Sequence, residues 1–318
     1  MSAVPRRVLE VDLERPVVIV GVGRSGTSLL QSMLNAHPEL GFPPETHFFR
    51  RYVAPHRPGA YWTEPDRARL LESLRVDEDF ARAGVDADEL FTDPRCAAGP
   101  AGAFRALLER CALARGKPRV GDKDPKNIDS LPALHSYFPG ARVIHVVRDP
   151  RDVLLSRTKA AWSAHRPWWV HPLIYREQMQ RGRRLGTELF GEAYMELRYE
   201  DLITEPEAQL RRICEHADLF WTPAMLNFGD SARELVDERE LSWKRETFGP
   251  LLGNNSGKWR EGLSERQVAY TEACCMETFE EFGYERSTRE SVGLGTLAEV
   301  LAAAMGWAYE RKVARGGV

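Results

Sequence analysis

A run of β-branched residues that enters a glycine-rich turn constrains the fold of this chain most strongly. Residues 16–22 read PVVIVGV, the composition of a strand that is buried on both faces. The turn continues as GVGRSGTS over residues 21–28, and apolar residues then recur at helical spacing up to Leu34. A buried strand, a glycine turn and a helix in this order indicate a central parallel strand of an α/β protein.

Three further strand-like segments precede helical patterns along the chain. Residues 141–147, ARVIHVV, lead into the basic turn RDPR and a helical pattern, and residues 119–121 and 194–198 are shorter candidates. Alternation of strands and helices is typical of a parallel sheet covered by helices. We therefore predict an α/β, P-loop-like three-layer fold with a central parallel sheet flanked by helices.

The spacing of these patterns predicts a single domain over residues 1–318. Its core covers about 16–282, and the charged, mostly helical stretch at about 43–116, broken by Pro and Gly, is interpreted as an insertion over the sheet. Closing helices are expected at 264–282 and at about 294–312. The last of them packs on the body of the protein or on a second copy, so a homodimer is possible.

Charge, cysteine content and hydropathy exclude several classes of protein. The 44 Lys and Arg residues against 47 Asp and Glu residues give a net charge of −3, which offers no polycationic surface for nucleic acid. Five cysteines without C-x-x-C spacing argue against a disulfide framework and a structural zinc site. The polar N-terminus and an apolar stretch at 294–309 that is too short for a bilayer predict a cytoplasmic protein without a stable membrane span.

The glycine turn has the composition of an anion site. Backbone N–H groups of such a loop, with the N-terminus of the following helix, form a concave cradle for a phosphate-like group. The nucleotide triphosphatase pattern G-x-x-x-x-G-K-[ST] has lysine where this chain has Thr27, and the cation stands instead at Arg24. An ordinary glycine turn between strand and helix is the alternative, and the polar residues packed into this turn make it the weaker one.

In five segments taken together, the chain resembles sulfotransferases that use 3′-phosphoadenosine 5′-phosphosulfate, in the branch with the tyrosylprotein and carbohydrate enzymes, in a bacterial form. The segments are the phosphosulfate loop at 20–28, GDKDP at 121–125, HVVRDPRDV at 145–153 followed by Ser156, RYEDL at 198–202 and SGKWR at 256–260. The resemblance covers about residues 16–282 and implies the P-loop-like fold and this nucleotide as co-substrate. The donor-binding residues it implies are Gly23, Arg24, Ser25, Gly26, Thr27, Ser28, Arg148, Ser156, Tyr199, Lys258 and Trp259.

Such a donor carries anions at both ends and therefore needs two separate cationic sites. Arg24 and Lys123 suit the 5′ end, where they stabilise the charge on the transferring group. Arg148 and Ser156 suit the 3′-phosphate, because both follow the same strand. The alternative for 148–151 is a solvated helix start, and we accept Asp149 as its capping residue.

The acceptor hydroxyl needs a base, and the segment GFPPETH returns to the mouth of the glycine loop. The resemblance places the catalytic carboxylate at Glu45. His47 is the rival base, since imidazole titrates near neutral pH. The tyrosylprotein branch has Arg at this place, so the chain departs from that branch here. Without the resemblance, the slightly favoured interpretation of Glu45 is an exposed acid at the start of a helix, where the helix dipole stabilises it.

The other polar and aromatic residues near these motifs give weaker indications of function. His145 is interpreted as a core histidine, and Trp168 and Trp169 as core aromatics with acceptor stacking as the minority alternative. Arg50 and Arg51 either contact an acidic acceptor or form a solvated face. Asp122 and Asp124 lack the spacing of a metal site, so no essential metal is expected.

The sequence therefore predicts a sulfotransferase that acts on a hydroxyl of a small molecule, carbohydrate, lipid or peptide. A small-molecule kinase and a nucleotide-binding protein without catalysis are the alternatives. The missing loop lysine counts against the kinase.

Overall fold

The computed structural model describes residues 9–235 and 255–287, together with Met305 and Ala308. The strands of this part form one parallel sheet in the order β2-β3-β1-β4-β5. Their bounds are β1 Asp12–Gly21, β2 Leu40–Gly41, β3 Arg119–Lys123, β4 Arg142–Val147 and β5 Tyr194–Arg198.

Helices cover both faces of this sheet. The α-helices are α1 (Thr27–Asn35), α2 (Glu64–Arg75), α3 (Glu78–Ala81), α4 (Ala87–Leu90), α5 (Pro100–Ala114), α6 (Leu131–Tyr137), α7 (Pro150–Lys159), α8 (Val170–Phe190), α9 (Tyr199–Thr204), α10 (Pro206–His216), α11 (Gly229–Leu235), α12 (Trp259–Gly262), α13 (Glu265–Cys274) and α14 (Met276–Phe282). A π-helix spans Phe49–Val53, and 3-10 helices span Pro94–Ala98, Pro125–Ser130, Gly191–Ala193 and Pro223–Leu226.

Strand β1 is the centre of the sheet because its side chains are apolar on both faces. Val18 and Val20 pack into a core with the helices of the 43–116 stretch and with α6 and α8. Val17 and Ile19 pack into the opposite core with α1, α9 and α10. Alternation of these side chains across the strand explains why the run of β-branched residues is continuous.

The order of the strands places a topological switch point between β1 and β4. The chain leaves β1 toward β2 and β3 on one side, and leaves β4 toward β5 on the other. Val20 lies opposite His145 in the register of this pair, so the loops after β1 and β4 begin side by side. In open α/β sheets, ligands bind in the crevice outside the carboxyl ends of the strands at such a point.

The structure confirms the α/β class, the parallel sheet and the four predicted strands, with corrected bounds. Strand β1 begins at Asp12, four residues before the predicted start, and the two-residue strand β2 was not predicted. Helices α13 and α14 occupy the predicted 264–282 stretch. The helix predicted at 294–312 lies outside the described residues apart from Met305 and Ala308.

All five cysteines are buried free thiols. Among the described helices, none is both long and apolar enough to cross a bilayer.

Candidate active site

The glycine loop of residues 21–28 turns sharply between β1 and α1. Arg24 and Gly26 both lie in the left-handed region, with φ of 84° and 95°. A Cβ at Gly26 would lie 2.2 Å from Cδ2 of Tyr199, so only glycine fits between the loop and that ring. The loop thus ends at the N-terminus of α1, where backbone N–H groups lack partners within the helix and favour an anion.

Arg24 reaches from this loop to helix α7. Its Nε donates a hydrogen bond of 2.9 Å to Oγ of Ser156. The sequence assigned these residues to opposite ends of the donor, whereas the structure brings their side chains into contact. The adjacency of β1 and β4 explains this, because it sets the loop beside the helix that follows β4.

Arg148 lies at the end of β4 and is 9% exposed. Its Nη1 donates to the backbone oxygen of Arg24 at 3.3 Å and its Nη2 to that of Asn255 at 2.9 Å. The guanidinium carbon stands 4.3 Å from the centre of the Tyr199 ring. Its Nε is buried and has no hydrogen-bond partner among the described residues. Arg148, which the sequence predicts as an anion-binding residue, thus has one N–H donor that the described residues do not use.

Residues 255–260 close one side of this region. Nδ2 of Asn255 donates to the Tyr199 hydroxyl at 2.7 Å. The carboxylate of Asp152 accepts the backbone N–H groups of Gly257 and Trp259 at 2.6 and 3.0 Å. Asn255 was missed in the sequence, because a lone asparagine has no distinguishing pattern.

Trp259 and Lys258 are placed differently from Tyr199. The indole of Trp259 contacts the guanidinium groups of Arg151 and Arg260, whose central carbons lie 3.8 and 4.6 Å from the ring centre. Lys258 is the residue that precedes α12. The Trp259 ring therefore packs on α7, while Tyr199 lies directly against Gly26 and Arg148.

On the other side of the glycine loop, Lys123 connects the loop to Glu45. The Lys123 side chain is fully buried at the end of β3. Its Nζ lies 3.3 Å from Oγ of Ser28 and forms an ion pair with Oε2 of Glu45. The structure thus brings Glu45, Lys123 and the glycine loop together, as the sequence predicted.

His47 lies next to Glu45 and is held by Asp124. Its Nδ1 is 2.9 Å from Oδ2 of Asp124 and 3.7 Å from Oε1 of Glu45. Arg50 also donates to Oδ2 of Asp124, at 2.8 Å. Arg51 pairs with Asp77 and Asp79, so both arginines that the sequence offered for an acidic acceptor have carboxylate partners within the protein.

The pKa values of the two aspartates that flank Lys123 are shifted in opposite directions. Burial alone raises the pKa of Asp124, but hydrogen bonds and charge from His47 and Arg50 outweigh it and hold that pKa well below its usual range. Burial, reinforced by the Asp124 charge, raises the pKa of Asp122 to about 7. Asp124 is therefore an anion near neutral pH, whereas Asp122 exchanges its proton there.

A raised pKa makes folding stability depend on pH. The folded protein binds the Asp122 proton more tightly than the unfolded chain does. The stabilisation that this proton gives to the folded state is therefore complete below about pH 4 and is lost as pH rises through about 7. Asparagine does not ionise, so the stability of Asp122→Asn lacks this pH dependence. At pH 8, where the buried Asp122 of the wild type is ionised, we expect the variant to be more stable than wild type by at least about 1 kcal/mol. Denaturant unfolding at pH 5 and pH 8 measures it; an equal effect of the substitution at both pH values would contradict the assignment.

One cluster within the described residues has the composition of a metal site. Glu45, His47 and Asp124 offer ligand atoms that lie within 4.8 Å of one another. Lys123 and Arg50 already pair with the two carboxylates. Cations on the donor set disfavour a divalent ion, and the cluster is better described as an ion-pair network.

Trp162 is a residue near the loop that the sequence analysis did not single out. Its Cη2 lies 3.5 Å from where a Cβ of Gly23 would stand, and the residue is 44% exposed. Of the tryptophan pair that was singled out, Trp168 packs edge-on against Tyr270 and Trp169 is exposed. No local signal distinguishes Trp162, because its position depends on how the chain turns after α7.

The sequence of this chain is similar to those of known sulfotransferases. A sequence profile described as "Sulfotransferase family" matches residues 16–223. A protein-tyrosine sulfotransferase of Drosophila melanogaster is 27% identical over 239 residues, which cover 70% of this chain and 42% of that protein. Protein-tyrosine sulfotransferase 1 of Danio rerio is 28% identical over 228 residues, covering 67% and 56%. The chain thus spans about half the length of these relatives.

Two solved structures share the fold. The sulfotransferase domain of the Synechococcus PCC 7002 olefin synthase superposes with a TM-score of 0.62 at 22% identity, covering 88% of this chain and 97% of that domain. The sulfotransferase domain from the curacin biosynthetic pathway gives 0.58 at 19%, covering 86% and 99%. At these identities the likeness shows a common architecture.

Proposed function

Because this chain belongs to the sulfotransferase family, we propose that it moves a sulfuryl group from 3′-phosphoadenosine 5′-phosphosulfate to a hydroxyl acceptor. The proposal rests on two buried donors on neighbouring loops. Oγ of Ser25 in the glycine loop and Nε of Arg148 after β4 both lack a hydrogen-bond partner among the described residues. These two donors lie beside the switch point of the sheet, where the oxygens of an anionic ligand would pair with them.

The residues around these donors divide between the two ends of the nucleotide. Gly23, Arg24, Ser25, Gly26, Thr27 and Ser28 of the glycine loop, with Lys123, would hold the 5′-phosphosulfate. Arg148 and Ser156 would hold the 3′-phosphate, with Tyr199 supporting the guanidinium and residues 255–259, including Lys258 and Trp259, closing over them. The contact between Arg24 and Ser156 supports this, because it joins the two groups into one continuous surface.

Transfer requires the acceptor oxygen to attack sulfur in line with the leaving oxygen. The new S–O bond forms as the bond to the 5′-phosphate breaks, and 3′,5′-adenosine bisphosphate leaves. Arg24 and Lys123 stabilise the charge on the sulfuryl and leaving oxygens. We assign the acceptor proton to Glu45, whose carboxylate pairs with Lys123 beside the loop; His47 is the alternative base. No metal enters this proposal.

The acceptor class is a hydroxyl of a small molecule, a carbohydrate, a lipid or a peptide. The relatives named protein-tyrosine sulfotransferase support a phenolic hydroxyl within this class. A cytoplasmic location and a homodimer stay predictions from the sequence.

Thermal shifts with different nucleotides test the donor assignment. A ligand that binds only the folded state raises the melting temperature in proportion to the logarithm of its concentration over Kd. We expect 3′,5′-adenosine bisphosphate to raise it by several degrees and ATP with magnesium to have little effect. A larger shift with ATP and magnesium would favour the kinase alternative.

Turnover separates an enzyme from a binding protein. Labelled donor is incubated with the protein and a panel of sugar, phenol, lipid and tyrosine-peptide acceptors. Label on any acceptor supports the proposal, whereas nucleotide binding without transfer to the panel supports the inactive alternative.

A further inference from the structure

The segment that carries Glu45 is attached to the end of β3 by contacts of alternating charge. Lys123 pairs with Glu45, and the next residue, Asp124, accepts from both His47 and Arg50. Two adjacent residues of opposite charge thus bind three residues of the facing segment, Lys123 one of them and Asp124 the other two. We call these five residues the clasp: Glu45, His47 and Arg50 on one segment, Lys123 and Asp124 on the other. Because the charge reverses along each segment, only this register of the two segments pairs opposite charges.

Asp124 is saturated by this arrangement. It is 3% exposed, its Oδ1 accepts the backbone N–H of Lys126 at 3.0 Å, and its Oδ2 accepts from His47 and Arg50. Because the ionised Asp124 carboxylate can only accept a hydrogen bond, Nδ1 of His47 carries the proton that is donated to it. Nδ1, the nitrogen nearer to Glu45, is therefore a donor, and the remaining nitrogen, Nε2, lies 4.0 Å from Oδ2 of Asp79, which also pairs with Arg51. The one nitrogen of His47 that could act as a base thus faces a carboxylate of the protein.

The backbone of His47 shows why an anchor is needed. Its φ of 55° lies in the left-handed region, which non-glycine residues adopt at a cost and which Asn, Asp and His adopt most readily. The preceding Thr46 is 3% exposed, so the chain turns tightly against the core directly after Glu45. The hydrogen bond to Asp124 offsets the strain of this turn, and the turn directs Glu45 toward Lys123.

We propose that His47 and Asp124 are positioning residues that hold Glu45 against Lys123, and that His47 is not the base. This inference rests on the proposed function and deepens it, because it decides between the two candidate bases. The imidazole contributes a donor at Nδ1 and a side chain that tolerates the left-handed turn.

Two substitutions at position 47 separate positioning from proton transfer. In His47→Asn, the amide Nδ2 is bonded to Cγ as the imidazole Nδ1 is, and asparagine tolerates positive φ, yet it offers no base. His47→Leu has a similar shape but no donor and disfavours the turn. We expect His47→Asn to keep kcat within about threefold of wild type and His47→Leu to lower it about 10- to 100-fold, as expected for a misplaced catalytic group.

Asp124→Asn is the companion variant, and Asp122→Asn is its matched control on the same strand end. We expect Asp124→Asn to lower kcat about 10- to 100-fold with an unchanged Kd for 3′,5′-adenosine bisphosphate. Asp122→Asn is expected to keep kcat, because the Asp122 carboxylate accepts its hydrogen bond from Nδ2 of Asn127 and not from a side chain of the clasp. Equal inactivity of His47→Asn and His47→Leu in folded protein would make the imidazole itself the base and overturn the inference.

A second readout does not depend on sulfuryl transfer. Lys123 is buried beside Glu45, so reductive methylation with formaldehyde and a borane, followed by mass spectrometry, reports whether the clasp is closed. We expect Lys123 to be protected in wild type, His47→Asn and Asp122→Asn and modified faster in Asp124→Asn and His47→Leu. Protection of Lys123 in all variants would refute the positioning role, whether or not the protein binds the nucleotide. Absence of nucleotide binding by the wild type would refute only the proposed function.

Discussion

Glu45→Gln is expected to lower kcat by about 10²- to 10⁴-fold, the contribution of a positioned general base. Glutamine has the same shape but cannot take the acceptor proton. The affinity for 3′,5′-adenosine bisphosphate stays within about threefold, since the residues assigned to the nucleotide are unchanged. Single-turnover transfer of labelled donor and calorimetric titration of the product nucleotide measure the two effects.

This substitution also removes the carboxylate that pairs with buried Lys123, so stability must be followed with it. Melting temperatures identify any loss due to unfolding. Glu72→Gln, on the exposed face of α2 in the same 43–116 stretch, is the control and should transfer at the wild-type rate. Wild-type turnover by folded Glu45→Gln would refute the assignment of the base.

The second large effect concerns recognition of the 3′-phosphate. We expect Arg148→Ala to weaken binding of 3′,5′-adenosine bisphosphate by about 10- to 100-fold, because a charged hydrogen bond is worth about 1.5–3 kcal/mol. Binding of adenosine 5′-monophosphate, which lacks the 3′-phosphate, falls much less. Calorimetry with both nucleotides measures the difference, which is specific to that phosphate.

The comparison of two nucleotides also controls for damage to the fold. Arg148 supports Arg24 and Asn255 through hydrogen bonds, and their loss would weaken both ligands alike. Arg148→Lys keeps the charge without the planar fork and is expected to lie between wild type and alanine. An equal loss for both nucleotides would mean that Arg148 has only a structural role.

Local patterns were sufficient to predict the elements that carry the site. The buried strand before residue 22 and the glycine turn after it are legible because their period and composition are set by neighbouring residues. The same holds for the strand before Arg148. The switch point followed once these strands were known to be parallel neighbours.

Contacts between distant segments were beyond such patterns. Asn255 meets Arg148 across 107 positions of the chain, and Asp124 meets His47 across 77. Arg24 and Ser156 were both identified but assigned to different ends, because a motif gives the residue and not the direction of its side chain. The short strand β2 was missed because two residues carry no period.

The hydrogen bonds of Asn255 bear on how this protein can be divided. The family match ends at residue 223, and every strand of the described sheet lies before that point. Yet the carbonyl of Asn255 accepts from Arg148, and its amide donates to Tyr199. A fragment cut at the end of the match would retain every described strand but lose these two hydrogen bonds, so the smallest piece that keeps the proposed nucleotide site intact extends past residue 255.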